Sequence, residues 1–223
     1  LDDLEMLTCK AGDWFELNPQ RGRANNSVVA LRSRITKQDF DKYFEYVKNN
    51  HTGEPGIIFT NDQEVLINPC GEIALEDGGA CNLSAMNLSR FVDDGYTENA
   101  KVNWSKLKES VTNVVRFLDN TITWNMFMNP LEKQRIATSE TRRLGLGVMG
   151  IADMLNQLGI GYDSDEGIAL IGEVMEFIAN TAYKASSLLA VEKEPSPIFN
   201  YDSYSKCPFF QESLSRDSIS VIK

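Results

Sequence analysis

The sequence has 223 residues, and its 22 basic and 32 acidic side chains give a formal net charge of −10 at pH 7. With 42% hydrophobic and 24% charged residues, it has the composition of a globular domain rather than of a disordered or fibrous chain. The acidic balance disfavours nucleic acid and anionic membranes as partners. The four cysteines are too few for a disulfide framework, and no signal-peptide pattern or membrane-spanning apolar run occurs, so we expect a cytoplasmic protein.

The first part of the chain contains one clear helix signal. Residues 1–35 carry several turn signals and are expected to be irregular. Thr36 and Asp39 are spaced as a capping box, and apolar residues from Phe40 to Val47 recur at helical spacing, which predicts an amphipathic helix of about three turns. A Gly- and Pro-rich turn ends this helix, and residues 57–59 are predicted to form a short buried strand.

The second part of the chain is predominantly helical in pattern. Apolar residues between 104 and 118 form one helical stripe, and residues 151–158 predict a shorter helix. Ser164 is placed to cap a long helix, and an apolar stripe continues it to about Glu194, where two prolines follow. Without an internal repeat or a low-complexity linker, residues 1–223 are predicted to form a single region.

The single histidine, His51, lies in a polar stretch and has no partner motif, so it is expected to be a surface loop residue. A Ser-His-Asp or Cys-His hydrolase would have to be built around this one residue. The cysteines lack CxxC spacing, so no zinc site or other metal site is assigned.

The segment Gly145–Gly150 matches G-x-G-x-x-G, the dinucleotide-binding pattern. That pattern needs a buried strand before it, but residues 138–143 are polar and charged. The favoured alternative is a strand or loop whose glycines allow close backbone packing. A nicotinamide-dependent oxidoreductase remains as a remote alternative, and it requires a strand that ends near Gly145 and a helix N-terminus facing an open crevice.

A second motif combines Asn68, Cys70 and Glu72 around a proline and a glycine. Pro69 disfavours a helix, so the segment should be extended or form a tight loop. If it is extended, the amide, thiol and carboxylate project from one face, where they could meet one small ligand. Cys81 follows after a turn and could fold back towards Cys70. The alternative is that both cysteines are small buried hydrophobes, as in a non-catalytic helical interaction domain.

This second motif resembles the catalytic loop of ribonucleotide reductase large chains. The resemblance is carried by residues 68–73 and 81–84, by residues 18–21 and 24–29, which are similar to the adenosylcobalamin-dependent (class II) branch, and by residues 143–153. The resemblance implies part of a ten-stranded α/β barrel, made of two half-barrels with the catalytic loop threaded through its centre. It also implies reduction of ribonucleotides to deoxyribonucleotides, with a class I large chain as the alternative branch.

The resemblance assigns a role to each residue of the motif. Cys70 would carry a thiyl radical, Glu72 would act as general base, and Asn68 would hydrogen-bond the sugar hydroxyls of a ribonucleoside di- or triphosphate. Cys81 would be one of two redox-active thiols that a thioredoxin-like dithiol protein resets. Adenosylcobalamin is the implied cofactor.

Several parts of the family's machinery are not found in the sequence. The partner thiol of Cys81 and the downstream phosphate-binding loop are missing, and Cys9 and Cys207 do not lie in matching motifs. The chain is therefore expected to be a central fragment of a longer reductase and to be inactive alone.

Overall fold

The computed structural model describes residues 3–62 and 64–223. By its internal contacts the chain divides into two compact units, Leu1–Asp77 and Gly78–Lys223. No helix in the described ranges combines the length and the apolar character needed to cross a membrane.

The first unit is a small α/β assembly. Its elements are α1 (Leu4–Leu7), α2 (Trp14–Leu17), a 3-10 helix (Pro19–Arg23), β1 (Ser27–Leu31), α3 (Lys37–Asn50), β2 (Gly56–Thr60), β3 (Leu66–Ile67) and β4 (Ala74–Leu75). Strands β1 and β2 pair in parallel with Ser27 opposite Gly56, so β1, α3 and β2 form a βαβ unit. The expectation of an irregular first 35 residues is therefore wrong, because this stretch holds short helical turns and a strand.

The predicted capping box of α3 is confirmed. The Thr36 hydroxyl accepts a hydrogen bond from the Asp39 backbone N–H at 3.2 Å, and the Asp39 carboxylate accepts one from the Thr36 N–H at 2.9 Å. His51 follows the last helical residue with a left-handed backbone at φ 53° and is exposed, as expected for a loop residue. It ends the helix, since a left-handed residue cannot continue it.

The second unit contains most of the helices. Its elements are β5 (Asn82–Asn87), a 3-10 helix (Leu88–Phe91), β6 (Val92–Asp93), β7 (Lys101–Val102), α4 (Trp104–Met128), α5 (Glu132–Thr141), β8 (Leu144–Met149), α6 (Ile151–Leu158), α7 (Asp165–Lys193), α8 (Tyr201–Tyr204), α9 (Pro208–Ser213) and α10 (Arg216–Ile222). The helices predicted from 104, 151 and 164 onward are confirmed. Ser164 caps α7 by accepting a hydrogen bond from the Gly167 N–H at 3.0 Å.

The core of the second unit lies where α4 and α7 pack on one face of the β5–β8 sheet. Leu107 and Val111 of α4 and Val174 of α7 are fully buried there, and Ile178 is 3% exposed. Removing a side chain of this size from water contributes about 1.5–3 kcal/mol. Because α4 and α7 cover one face of the β5–β8 sheet in this way, only the opposite face of that sheet is free of these two helices.

The described residues form a helix-rich α/β structure, as expected, but their strands do not close into a barrel. They make four two-stranded sheets, of which β1–β2 and β5–β8 are parallel and β3–β4 and β6–β7 are antiparallel. The two parallel pairs each enclose helices in their crossover, which is the repeating unit of α/β folds.

The glycine run is part of a strand, so the dinucleotide-binding alternative is wrong. Strand β8 continues through Gly145 and Gly147 to Met149, and only Gly150 lies at the junction with α6. A dinucleotide site needs its glycines in the turn after the strand, where the backbone meets the pyrophosphate. The alternative of strand glycines that permit close packing is confirmed, since a Cβ on Gly145 would lie 2.3 Å from Leu83.

Candidate active site

The segment from Asn68 to Glu72 forms the tip of a hairpin in the first unit. Strands β3 and β4 pair on either side of it, and the Gly71 N–H donates to the Asn68 carbonyl at 3.0 Å to close a β-turn. Asn, Pro and Gly at the first, second and fourth positions are the residues that a type I turn prefers. Gly71 has φ 81°, a left-handed conformation that glycine adopts without a steric penalty.

The tight loop considered from the sequence is thus confirmed, and the extended arrangement is wrong. An extended chain would have placed Asn68, Cys70 and Glu72 on one face by simple alternation. The turn hydrogen bond and the left-handed Gly71 instead fold these residues around a tip.

The oxygen and the nitrogen of the Asn68 side-chain amide differ in their hydrogen bonding. Its Oδ1 accepts a hydrogen bond from the Ile73 N–H at 3.0 Å, which locks the side chain against the hairpin. The amide nitrogen Nδ2 finds no hydrogen-bond partner among residues 3–62 and 64–77. An amide donor that is held in place by its own oxygen can bind a hydroxyl oxygen of a small ligand.

Cys70 and Glu72 are both exposed, and Asn68 is half-buried. The interpretation of Cys70 as a small buried hydrophobe is therefore wrong, and with it the expectation from a non-catalytic interaction domain. The hairpin offers a thiol, a carboxylate and an amide donor within five residues, all accessible to a ligand.

Cys81 lies in the second unit, one residue before β5, and is half-buried. Leu144, Leu146 and Val148 of the neighbouring strand β8 pack against the helical core, so the alternate residues face the other way. The thiol of Cys81 is on this second face, because a Cβ built on Gly145 would lie 3.1 Å from its Sγ. Cys81 therefore occupies the face of the sheet that α4 and α7 leave uncovered.

The other two cysteines lie elsewhere. Cys9 is half-buried, and its Sγ accepts a hydrogen bond from the Asn26 amide at 3.1 Å, which ties it to the packing of the first unit. Cys207 is exposed at the start of α9. Neither lies in the hairpin that carries Cys70.

Sequence reasoning missed an ion cluster in the second unit. Asp119, which is 7% exposed, accepts hydrogen bonds from Arg142 Nε at 3.0 Å and from Lys193 Nζ at 2.7 Å. Arg142 also donates to the Asp119 carbonyl at 3.1 Å and to the Thr123 hydroxyl at 2.9 Å. The sequence offered one signal for this cluster, since Asp119 directly follows Leu118 of the apolar stripe of α4. A carboxylate that is buried beside such a stripe needs cationic partners.

This ion cluster borders an open cavity of about 950 Å³, which Tyr183, Tyr204 and Cys207 also line. Burial, and then a hydrogen bond with Tyr183, raise the pKa of the Tyr204 phenol well above its usual range. The phenol therefore stays protonated at physiological pH. Cys81 is not among the described residues that line the cavity.

No group of three or more His, Cys, Asp and Glu side chains suited to a metal ion occurs in the described part of the chain.

The fold and the hairpin define an α/β structure that presents an exposed thiol and an exposed carboxylate two residues apart in one hairpin tip. The family model described as "Ribonucleotide reductase, barrel domain" matches residues 49–219. The chain therefore belongs to the ribonucleotide reductase barrel-domain family.

Curated relatives and a solved structure show the same likeness. The vitamin B12-dependent ribonucleoside-diphosphate reductase of Thermoplasma acidophilum is 38% identical over 166 residues, which is 70% of this chain and 21% of that protein. The corresponding protein of Mycobacterium tuberculosis strain H37Rv is 35% identical over 165 residues, 69% of this chain and 22% of that protein. The ribonucleoside-diphosphate reductase subunit alpha of Chlamydia pneumoniae is 35% identical over 187 residues, 77% of this chain and 17% of that protein.

The fold is similar to that of the Actinobacillus ureae class Id ribonucleotide reductase alpha subunit, with a TM-score of 0.60 and 21% identity. This likeness covers 80% of this chain and 37% of that one. The chain spans about a fifth of the length of the curated relatives that it matches.

Proposed function

We propose that this chain carries the catalytic loop of an enzyme that reduces ribonucleotides to 2′-deoxyribonucleotides for DNA precursor synthesis. The observation that carries the proposal is the hairpin tip, where an exposed thiol and an exposed carboxylate flank a glycine and an oriented amide donor. We further propose that residues 1–223 belong to a single catalytic domain and contribute strands to a ten-stranded barrel. The parallel βαβ units of both parts support that architecture.

Three residues of the hairpin divide the first step between them. A carbon–hydrogen bond is too strong for general acid–base chemistry alone, so Cys70, as a thiyl radical, takes the 3′-hydrogen of the ribose. Its sulfur becomes a thiol, and the carbon becomes the radical. Glu72 accepts the proton of the 3′-hydroxyl as general base, and Asn68 donates a hydrogen bond to a sugar hydroxyl oxygen.

The reduction itself needs two electrons, which a pair of thiols supplies. Cys81 and a partner cysteine outside this chain are oxidised to a disulfide, the 2′-hydroxyl leaves as water, and a hydrogen takes its place on the carbon. Cys70 then returns the 3′-hydrogen and is again a radical. A thioredoxin-like dithiol reduces the disulfide by thiol–disulfide exchange, and a cycle of this kind suits the reducing cytoplasm.

We propose adenosylcobalamin as the radical source of the full-length enzyme and a ribonucleoside diphosphate as its substrate, following the names of the Thermoplasma and Mycobacterium relatives. The corrin ring itself supplies four ligands of the cobalt, so a corrinoid site does not need a cluster of metal-binding side chains. The single histidine, His51, is an exposed helix cap and is not assigned to this cofactor. No step of the reaction is assigned to the cofactor.

The second candidate is a class I large chain, which works with a separate radical-generating subunit. The observation behind it is the Chlamydia pneumoniae relative, which is 35% identical and is named a subunit alpha. The full-length protein, given adenosylcobalamin and a dithiol but no second subunit, distinguishes the two. Product formation supports the cobalamin-dependent reading, and activity only after adding a second subunit supports class I.

The proposed roles are tested in the full-length reductase that contains this sequence. Cys70→Ser should abolish deoxyribonucleotide formation, because a hydroxyl cannot carry the radical reversibly. Cys81→Ser should block turnover with a dithiol. Cys207→Ser, at an exposed cysteine in a different place, serves as the matched control and should keep the wild-type rate. Wild-type turnover of either of the first two variants contradicts the corresponding role, and robust turnover by the 223-residue chain alone contradicts its expected inactivity.

A further inference from the structure

We propose that Gly145 is a positioning residue for Cys81, because a side chain at Gly145 would crowd the Cys81 thiol and displace it. This inference rests on the proposed function, in which Cys81 is one of the two reducing thiols. It explains the glycine at position 145 of β8 by side-chain packing rather than by dinucleotide binding.

The contact arises from the parallel register of β5 and β8. Gly145 lies opposite Leu83, and Cys81 is two residues before Leu83 on the same face of the sheet. A Cβ on Gly145 would lie 3.1 Å from Cys81 Sγ and 2.3 Å from Leu83 Cδ2. An ordinary van der Waals contact needs about 3.5–4 Å, so an added methyl group would force the thiol to shift or to change rotamer.

The next glycine of the strand shows that the strand itself does not require glycine. Gly147 lies on the same face, and a Cβ there would meet only the Ser84 carbonyl oxygen at an ordinary 3.8 Å. Gly145 also lies in regular strand pairing, so its backbone conformation does not explain its identity. What separates the two positions is the set of atoms that a side chain would meet.

Of the two side chains near Gly145, the thiol has less freedom to move. Leu83 is 62% exposed, and the atom that a methyl group would strike is the far end of a flexible side chain. It can turn towards solvent at little cost. The sulfur of Cys81 is one bond from its Cβ, so it moves only by rotation about χ1 or by a backbone shift. A contact at 3.1 Å requires the sulfur to shift by a few tenths of an ångström. Since a displacement of about 1 Å can cost on the order of a hundredfold in rate when reacting groups must be aligned, this smaller shift should cost about three- to tenfold.

The test compares three variants of the full-length reductase, Gly145→Ala, Gly147→Ala and the double variant Leu83→Ala/Gly145→Ala. The first measurement is the rate of alkylation of Cys81 by iodoacetamide, mapped by mass spectrometry, with Cys207 as the internal standard. Because a methyl group against the sulfur blocks one side of its approach, Gly145→Ala should slow the labelling of Cys81 about threefold or more. Gly147→Ala should label as the wild type does.

The second measurement is steady-state turnover with a dithiol. Gly145→Ala should lower kcat about three- to tenfold and leave the KM for the nucleotide within about twofold, since the displaced thiol does not hold the substrate. The double variant removes the closest contact and should keep both defects. It also replaces the single variant in the comparison if Gly145→Ala does not fold.

Two results would overturn the inference. One is an equal rate of Cys81 labelling in Gly145→Ala and Gly147→Ala. The other is a wild-type turnover rate in the double variant Leu83→Ala/Gly145→Ala, which would mean that packing against Leu83 is the reason for the glycine. Slowed labelling with unchanged turnover has a different meaning. It supports the contact between Gly145 and the thiol, and it contradicts the reducing role of Cys81 in the proposed function.

Discussion

The two functions of the Asn68 amide can be separated by mutation. Its Oδ1 accepts from the Ile73 N–H at 3.0 Å, and its Nδ2 is the donor that the proposal assigns to a sugar hydroxyl. Asn68→Asp keeps an oxygen for the Ile73 N–H and removes the donor. Asn68→Ala removes both. The pair therefore tells binding of the substrate apart from support of the hairpin.

The size of each effect follows from the kind of hydrogen bond that is lost. When Glu72 takes a hydroxyl proton, the oxygen that remains gains negative charge, and a hydrogen bond to a charged group contributes about 1.5–3 kcal/mol. Losing the Asn68 donor should therefore lower kcat/KM roughly 10- to 100-fold in both variants. The bond to the Ile73 N–H is a neutral one, and its loss should weaken the hairpin locally by about 1 kcal/mol in Asn68→Ala alone.

Two assays on the full-length reductase separate these effects. Steady-state kinetics with a dithiol reductant gives kcat/KM, and amide hydrogen exchange reports the Ile73 N–H directly. We expect Ile73 to exchange at the wild-type rate or more slowly in Asn68→Asp, and faster in Asn68→Ala. The reasoning is refuted if Asn68→Asp retains wild-type kcat/KM, or if Ile73 exchange does not change in Asn68→Ala.

Two further predictions concern stability. Asp119→Asn removes the carboxylate that two cations share, and because Arg142 keeps two other acceptors the expected loss is about 2–3 kcal/mol in urea unfolding. Glu192→Gln breaks the exposed ion pair between Arg116 of α4 and Glu192 of α7, and it should leave the midpoint of urea unfolding unchanged. Equal losses of stability in the two variants would contradict the argument. Asp39 has a pKa below its ordinary 3.8, first because the Thr36 side chain donates to its carboxylate. The stabilisation of the first unit by the ionised Asp39 carboxylate is therefore present above pH 3.8, and it is lost as the pH falls through the lowered pKa of the folded state. Asp39→Asn should accordingly destabilise the first unit at pH 7 and have no effect at the acid end of a pH series of thermal melts.

The sequence predicted the helices well because their signals are local. The capping box at Thr36 and Asp39 and the serine cap at Ser164 each need only a few neighbouring residues, and both helices begin where these signals lie. The end of α7 near Glu194 was also predictable, since two prolines follow it.

Strand β1 was missed because its signal is not local. Ser27–Leu31 follows a turn-rich stretch and lacks a clean polar–apolar alternation. It becomes a strand by pairing in parallel with β2, on the far side of α3. Long-range pairing of this kind cannot be read from the residues of one segment.

The direction in which helical residues face was predicted only in part. Ile168 belongs to the apolar stripe of α7 and Phe44 to that of α3, but they are 65% and 48% exposed. Val174 and Thr181 are buried instead on α7. Periodicity sets the spacing of an apolar stripe, whereas the elements packed against the helix decide which members of the stripe are covered.

The sequence identified the candidate site residues, whereas the structure was needed for their arrangement. The resemblance in sequence picked out Asn68, Cys70 and Glu72, and the roles assigned to them remain predictions. Their arrangement depends on the turn closed by Gly71 and on the amide of Asn68, which spacing in the sequence left open between two alternatives.

The two parallel sheets have a consequence for how this chain behaves in solution. In the described residues β1–β2 and β5–β8 contain two strands each, so every one of these strands is an edge strand. The outward N–H and C=O groups of an edge can pair with a strand of another molecule. At high concentration, neighbouring copies of the isolated segment should therefore aggregate through these edges.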